Sequence, residues 1–163
     1  MESLKQIQIS SYNLFNYMLS GIIFVTLLNK ILINVLPQDQ SIVIFFIYYF
    51  IGFSIHSFGS VVIKPIFKKL SLIEEATYEK YTKAIELNPR LNILTEISSI
   101  YRTFCALFSL LFLLEFYEIF KNGFSSLNMS FEMNLLMILL LIIFTLSYVK
   151  ESDRITKKIN SLV

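Results

Sequence analysis

The sequence is poor in the residues that most often build catalytic and metal centres. It holds one cysteine, Cys105, and one histidine, His56, among 163 residues. An intrachain disulfide is therefore excluded, and a multi-histidine or multi-cysteine metal site lacks its ligands. The G-x-S-x-G, Walker and H-E-x-x-H motifs are also missing. We predict a protein without enzymatic activity, metal or cofactor.

Charge is scarce as well, and so are the residues that break helices. Charged residues make up 16% of the chain, hydrophobic residues 55%, and the mean hydropathy is +0.65. There are four glycines and three prolines, and we find no repeat or low-complexity tract. A small soluble domain leaves much of its surface in water and cannot hide so much apolar surface. The composition therefore predicts that the lipid bilayer is the solvent of this chain.

Four hydrophobic runs have the length that a helix needs to cross a hydrocarbon core of about 30 Å. They cover residues 14–36, 41–63, 103–120 and 133–149. A tight turn at 37–40 joins the first two, and the fourth, which is the most apolar, is expected to face lipid. The sequence thus predicts an all-α membrane protein with four transmembrane helices in a single domain over residues 1–163.

The segment between the second and third runs, residues 64–102, is polar and has a helical pattern. Ser71 and Glu74 have the spacing of a capping box. Apolar residues then recur at the spacing of an amphipathic helix that ends at Asn88-Pro89. From about residue 91 a helix is expected to continue without a break to residue 121. We therefore predict an amphipathic helix in the cytoplasm between transmembrane helices 2 and 3.

The distribution of positive charge predicts the orientation. Lysine and arginine are concentrated in the loop at 64–102 and in the tail at 150–163, whereas the loop between the third and fourth runs has only Lys121. Basic residues beside a membrane span mark its cytoplasmic end. Four crossings then put the basic loop, the basic tail and both termini on the cytoplasmic side.

One face of the second helix gathers small and polar residues. Gly52, His56, Gly59 and Ser60 recur at helical spacing. Such a face allows close approach of helices, either sealing contacts between copies or lining a pore. A Ser-His pair at this spacing is also compatible with a nucleophile and its base, but it more often forms a hydrogen-bonded packing site.

A second group consists of the charges within or beside the apolar runs. Lys30, Glu115 and Glu118 lie in the outer halves of their helices, and the two glutamates are neighbours on one helix surface. A salt bridge, or side chains reaching the headgroups, would account for them. The alternative is that they line the outer mouth of an aqueous pathway, where carboxylates favour cations.

The third group combines basic and aromatic residues of the predicted cytoplasmic surface. Basic groups offset phosphate charge and aromatic rings stack on bases, so a nucleotide or nucleic acid is one candidate ligand. Anionic lipid headgroups are the other, because lysines near a membrane bind them without any further ligand. The candidate residues are Lys64, Lys68, Lys69, Tyr78, Lys80, Tyr81, Lys83, Arg90, Tyr101 and Arg102.

Three passages carry a resemblance to a known family: SYNLFNYMLSGIIF at 11–24, GFSIHSFGSVVIKPIFKKL at 52–70 and ISSIYRTFCALFSLLFLLEFY at 97–117. Together they resemble small bacterial four-helix inner-membrane effectors of anti-phage defence, of the Hailong type. The resemblance implies an oligomeric channel that single-stranded DNA, made by a nucleotidyltransferase partner, holds closed. It assigns no role to any one residue. The matching positions are Gly59, Ser60, Lys64, Pro65, Lys68, Lys69, Tyr101, Arg102 and Thr103.

The function expected from these observations is a pore-forming effector of the bacterial inner membrane in abortive infection, gated from the cytoplasm by a nucleic acid or nucleotide. Four helices with short loops are too few to enclose a wide aqueous path, so we expect a homo-oligomer, with a tetramer favoured. The alternative is a non-conducting membrane anchor or accessory subunit that recruits a cytoplasmic partner.

Overall fold

A computed structural model describes residues 2–31, 41–122 and 131–163. Every regular element in these ranges is helical. The predicted turn at 37–40, the end of the first run at 32–36 and the loop between the third and fourth runs at 123–130 lie outside the described residues. The elements are α1 (Glu2–Ile31), α2 (Ser41–Phe58), a π-helical segment (Gly59–Ile63), α3 (Lys64–Lys69), α4 (Tyr78–Leu87), α5 (Arg90–Asn122) and α6 (Phe131–Leu162).

Four of the described helical spans are long and apolar enough to cross a membrane, which confirms the prediction of a multi-pass membrane protein. They cover Asn13–Ile31, Ile42–Lys69, Arg90–Lys121 and Glu132–Leu162. The third span is the centre of the fold, because α1, α2 and α6 all pack against α5. Its residues Ala106, Leu107 and Leu111 are fully buried.

The helices α1 and α2 form an antiparallel pair whose backbones touch at two glycines. A Cβ atom on Gly52 would lie 1.7 Å from the carbonyl oxygen of Tyr17, and one on Gly21 would lie 1.8 Å from that of Tyr48. Without a hydrophobic driving force between helices in lipid, such close backbone contact gives van der Waals stabilisation that larger residues would prevent. These two glycines therefore determine how α1 packs on α2.

The second span contains a π-helical segment, Gly59–Ile63, and continues through α3 to Lys69, beyond the predicted limit at residue 63. The N–H of Lys64 donates to the carbonyl of Gly59, five residues earlier. Pro65 follows at once, and proline has no N–H to donate to the preceding turn. A π-turn accommodates such a break in the ladder, and π-turns are frequent at functional sites. The extra residue in this turn changes the direction in which Lys64 projects relative to His56.

The connection after α3 contradicts the capping-box prediction. Ser71 has a φ of 56° and ends α3, because its N–H donates to Lys68 and that of Leu72 donates to Phe67. This is the pattern of a Schellman motif, which stops a helix. The helix α4 starts at Tyr78 instead of Ser71, and it ends at Leu87, beside the predicted Asn88-Pro89 stop.

The last third of α6 packs on α4 and the start of α5. Ala84, Leu91 and Ile159 form a small buried cluster, and the Thr156 hydroxyl donates to the carbonyl of Glu74 at 2.6 Å. The basic loop and the basic tail therefore meet at one end of the bundle. We call this the basic end.

Candidate functional site

A polar cavity of about 180 Å³ lies at the basic end between α3, α4, α5 and α6. Its charged walls are Lys64, Glu75 and Arg102, and hydroxyl groups fill most of the remaining lining. We call it the basic-end pocket. The hydroxyl residues that line it are Tyr81, Thr95, Ser98, Ser99, Tyr148, Ser152 and Thr156.

Arg102 is the group with unused binding capacity in this pocket. Its Nη2 donates to the Ser99 hydroxyl at 3.1 Å, and the Tyr148 hydroxyl lies beside the guanidinium. Its Nε is buried and has no hydrogen-bond partner among the described residues. Because a buried donor without an acceptor is costly, this guanidinium favours an anion in the cavity.

The Glu75 carboxylate forms ion pairs with two lysines at the edge of the basic-end pocket. Its two carboxylate oxygens bind Lys64 and Lys68, each at 2.5 Å. Burial raises the pKa of Glu75, but the hydrogen bonds and charges of the two ammonium groups outweigh burial, so its pKa lies below the ordinary value. An incoming anion thus competes with a carboxylate that already occupies both lysines.

The lowered pKa of Glu75 predicts a loss of stability in acid. A carboxyl whose pKa is lower in the folded than in the unfolded state contributes stability above the unfolded pKa, about 4.3 for glutamate. That contribution is lost as the pH falls through the folded pKa. Glu75→Gln should therefore lower the thermal midpoint in detergent at pH 7 and make little difference once Glu75 is protonated in the wild type.

The control for this prediction is the exposed Lys157–Asp153 pair at 2.7 Å. Exposed ion pairs contribute little to stability, so Asp153→Asn should leave the midpoint almost unchanged at both pH values. Equal shifts for Glu75→Gln and Asp153→Asn at pH 7 would contradict a special role for the Glu75 pairing.

Part of this pocket was visible in the sequence. Lys64, Tyr81 and Arg102 were candidate residues and line it, and Lys68 reaches its edge through Glu75. Of the other candidates, Tyr101 packs against Phe144 with ring centroids 6.4 Å apart. The remaining ones are exposed outside the cavity lining: Lys69, Tyr78, Lys80, Lys83 and Arg90.

The remaining hydroxyl residues of the pocket and Glu75 were not among the candidates. Thr95, Ser98, Ser99 and Arg102 recur at helical spacing on α5, and this regularity was a signal that would have found them. Ser98 and Ser152 are buried, and the Tyr81 hydroxyl donates to Thr95 Oγ1 at 3.2 Å. Glu75 gave no local signal, because its role depends on how the 70–77 connection folds over Lys64.

A second polar cluster lies within the membrane-spanning part, next to Arg102 along α5. The Thr103 hydroxyl donates to the Ser99 carbonyl at 2.8 Å, and His56 Nδ1 lies 3.0 Å from the same Thr103 oxygen. Since a hydroxyl has one proton, the hydrogen-bond network assigns the imidazole proton to Nδ1, which donates to Thr103. The ring of Tyr17 covers His56, with centroids 5.0 Å apart.

The predicted small-residue face of the second helix packs against helices α1 and α5 of the same chain. Gly52 contacts Tyr17 of α1, and a Cβ on Gly59 would lie 3.3 Å from the Arg102 carbonyl of α5. Ser60 Oγ donates to the His56 carbonyl at 3.2 Å and not to its ring. Ser54 and Ser57 likewise donate to carbonyls of their own helix. This face thus provides helix packing and a histidine site.

The three charged residues that were predicted in the outer halves of the spans do not form one cluster. Lys30 is exposed on α1 and forms no ion pair among the described residues. Glu115 is 7% exposed, and its Oε1 has no hydrogen-bond partner in the described part of the chain. Glu118 is half-buried. A Lys30–Glu115 salt bridge within the chain is therefore not formed.

Comparison of the chain with protein-family models, curated proteins and solved structures finds no match. We therefore infer the function from the chemistry of the two polar sites and from the way the second span connects them.

Proposed function

We propose that this chain is a subunit of a homo-oligomeric membrane pore gated at its basic end by a phosphate-bearing ligand, a nucleotide or nucleic acid. The observation that supports this most directly is the buried Arg102 Nε, which has no hydrogen-bond partner among the described residues, beside a cavity that Arg102 and Lys64 both line. Guanidinium and ammonium groups that converge on a small cavity form a favourable phosphate site. A tetramer is the assembly we favour.

The covalent path from the pocket to the membrane interior supports gating by such a ligand. Lys64 is attached directly to the π-helical segment, and His56 lies on the other side of that segment. Arg102 precedes Thr103, the hydrogen-bond partner of His56. A ligand that draws Lys64 from Glu75 would move the segment against α5. A ligand shifts a conformational equilibrium only if it binds the two states differently, and these contacts provide that difference.

The size of the cavity limits what enters it. At about 180 Å³ it has space for a phosphate group, which leaves the sugar and base of a nucleotide outside. Exposed Tyr78, Lys80 and Lys83 lie on the neighbouring helix α4, where an aromatic ring and cations would contact the rest of the ligand. The pocket therefore fits the phosphate of a nucleotide or of a nucleic-acid strand.

The proposed membrane is the bacterial inner membrane, and the proposed orientation puts the basic end and both termini in the cytoplasm. The meeting of the basic loop and the basic tail supports this orientation, because lysine and arginine beside spans favour the cytoplasmic face. Helix α4 is then the cytoplasmic amphipathic helix. With the resemblance to anti-phage effectors, this orientation gives a pore that a cytoplasmic signal opens or closes during infection.

The proposal predicts ion flux from the purified chain alone. Liposomes that contain the protein should release a trapped potassium gradient, and a short single-stranded DNA added at the basic end should change the rate of release. Heat-denatured protein and empty liposomes are the controls. Liposomes that stay sealed in the presence and absence of DNA, with the protein folded and inserted, would contradict a pore.

A second candidate function is a non-conducting anchor that recruits a soluble partner. The surface of α4 and of the turn before it favours this candidate, because Leu70 is 62%, Tyr78 is 81% and Leu87 is 66% exposed. Apolar residues that are exposed at one end of a bundle are typical of docking surfaces. An anchor predicts sealed liposomes and a partner whose binding is lost in Tyr78→Ala.

A further inference from the structure

A long apolar groove runs along α5 between the second span and α6. Both α2 and α6 pack against α5, and the space left between them has a volume of about 750 Å³. All the residues that line it belong to three of the candidate membrane spans, so the bilayer surrounds the groove. The lining residues that are exposed on the outer surface of the bundle are Ile66, Leu113, Phe116 and Ile138. The groove therefore opens toward lipid.

Two acceptor oxygens in this groove lack a donor. Glu115 is 7% exposed, and its Oε1 and Asn134 Oδ1 have no hydrogen-bond partner among the described residues. Ser109, which also lines the groove, donates to the Cys105 carbonyl at 2.8 Å, so its proton is already in use. Buried acceptors and charges within a membrane are costly unless they are paired. The groove therefore requires an occupant with hydrogen-bond donors, and a carboxylate favours a cationic one.

The two acceptors lie at one level of the bundle. The helices α5 and α6 are antiparallel, because the start of α5 packs on the last third of α6, and Cys105 Sγ lies 3.3 Å from Thr145 Oγ1. Glu115 is ten residues beyond Cys105, and Asn134 is eleven residues before Thr145. At about 1.5 Å per residue both lie about 15–17 Å from the Cys105–Thr145 contact, on the side away from the basic end. One occupant can therefore contact both oxygens, since both line the same groove.

This level is close to the end of the spans that is opposite the basic end. Lys121, the last residue of the third span, is six residues beyond Glu115, and Glu132, the first residue of the fourth, is two residues before Asn134. Both of these charged residues are exposed. The acceptors therefore lie within about 9 Å of the membrane boundary, where lipid headgroups are found. From there the apolar lining continues along α5 past Phe112, toward the middle of the membrane.

A phospholipid with a primary ammonium headgroup has the chemistry that this groove requires. Its ammonium group carries a positive charge and three N–H donors, which are enough for both acceptors. A trimethylammonium headgroup carries the same charge but no N–H, and a glycerol headgroup carries donors but no positive charge. The acyl chains of all these lipids are apolar like the lining, whereas water is a poor occupant of so apolar a cavity. Charge and donor count thus select one class of lipid.

We infer that the groove is a binding site for a phospholipid with a primary ammonium headgroup, such as phosphatidylethanolamine. The ammonium group donates to Glu115 and Asn134, and one acyl chain lies along α5 against Phe112. The site belongs to the leaflet opposite the basic end, so it is separate from the basic-end pocket. This lipid site goes beyond the proposed pore and does not depend on it.

Lipid retention, measured by native mass spectrometry, tests the site. The protein is reconstituted in bilayers with equal amounts of phosphatidylethanolamine and phosphatidylcholine of identical acyl chains, and is then gently solubilised. Retained phosphatidylethanolamine should exceed phosphatidylcholine by at least about tenfold, the effect of a hydrogen bond to a charged group. Glu115→Gln should remove most of this preference. The matched control Glu132→Gln changes an exposed carboxylate at the same end of the bundle, outside the groove, and should keep the wild-type preference.

Tryptophan fluorescence provides a second measurement, which leaves Glu115 intact. The chain has no tryptophan, so Phe112→Trp introduces a single reporter in the groove, and Leu139→Trp introduces one on the exposed surface of α6 outside it. Phosphatidylethanolamine with brominated acyl chains is added as a minor component of phosphatidylcholine bilayers. It should quench the groove reporter more strongly than the surface reporter, because a bound lipid stays in contact with the groove. Adding Glu115→Gln should make the two equal.

Three results would overturn the lipid site. One is equal retention of the two lipids by the wild type, and another is the same loss of preference in Glu132→Gln as in Glu115→Gln. The third is a groove reporter that is quenched no more than the surface reporter, as expected if water or a second copy of the chain filled the groove. Sealed liposomes whose protein still prefers phosphatidylethanolamine would instead refute the proposed pore and leave the lipid site standing.

Discussion

Gly52→Ala is expected to lower the thermal midpoint of the protein in detergent by about 6–12 °C or more. The added Cβ would lie 1.7 Å from the Tyr17 carbonyl oxygen, a backbone atom that moves only if α1 and α2 separate. Overpacking of this kind costs up to about 3 kcal/mol and sometimes more. In a chain of this size 1 kcal/mol corresponds to about 2–4 °C.

Gly59→Ala is the matched control in the same span. There the new Cβ would meet the Arg102 carbonyl oxygen at 3.3 Å and the Ala106 Cβ at 3.4 Å. A shift of a few tenths of an ångström relieves these contacts, so the midpoint should change much less than in Gly52→Ala. A Gly52→Ala protein as stable as the wild type would show that the α1–α2 contact does not hold the fold together.

Arg102→Gln is expected to weaken the binding of a short single-stranded DNA by about 10- to 100-fold. The substitution removes the guanidinium that faces the pocket but leaves a side chain that still fits beside Ser99. Hydrogen bonds to charged groups contribute about 1.5–3 kcal/mol, which corresponds to this range of Kd. Fluorescence anisotropy with a labelled oligonucleotide and the detergent-solubilised protein measures the change directly.

Lys80→Gln is the control for Arg102→Gln, because Lys80 is exposed on α4 outside the pocket. Losing a surface phosphate contact reduces the affinity modestly and lowers the slope of log affinity against log salt by about one. If both variants lose the same affinity, the DNA binds along the surface and the pocket is not its site. If neither loses affinity, the ligand at the basic end is not a nucleic acid.

The wrong start of α4 shows why local motifs mislead in this chain. Ser71 and Glu74 have the spacing of a capping box, yet Ser71 is the left-handed residue that ends α3. The competing factor is tertiary: Ile73 is 4% exposed, and Glu75 must reach Lys64 and Lys68. An extended 70–77 segment satisfies both contacts, and a helix that started at Ser71 would follow a different path.

The basic-end pocket also shows that local sequence patterns give only part of the answer and that tertiary contacts give the rest. Basic and aromatic spacing in the sequence identified Lys64, Tyr81 and Arg102, but it gave equal weight to Lys80 and Lys83, which are exposed. Only the packing of α5 against α6 shows which cations line the pocket and which are exposed outside it. The buried Arg102 Nε, the observation on which the proposed function depends, has no counterpart in the sequence.

The four spans and the clustering of cations between and after them follow from the order of residues alone, because hydropathy and charge act residue by residue along each helix. The tertiary structure decided which faces of those helices meet. It put Gly52 against Tyr17, paired His56 with Thr103 and left Glu115 Oε1 without a hydrogen-bond partner in the described part of the chain. The physical reason is that in lipid nearly every apolar helix face is equally well solvated, so close packing and hydrogen bonding select the contacts.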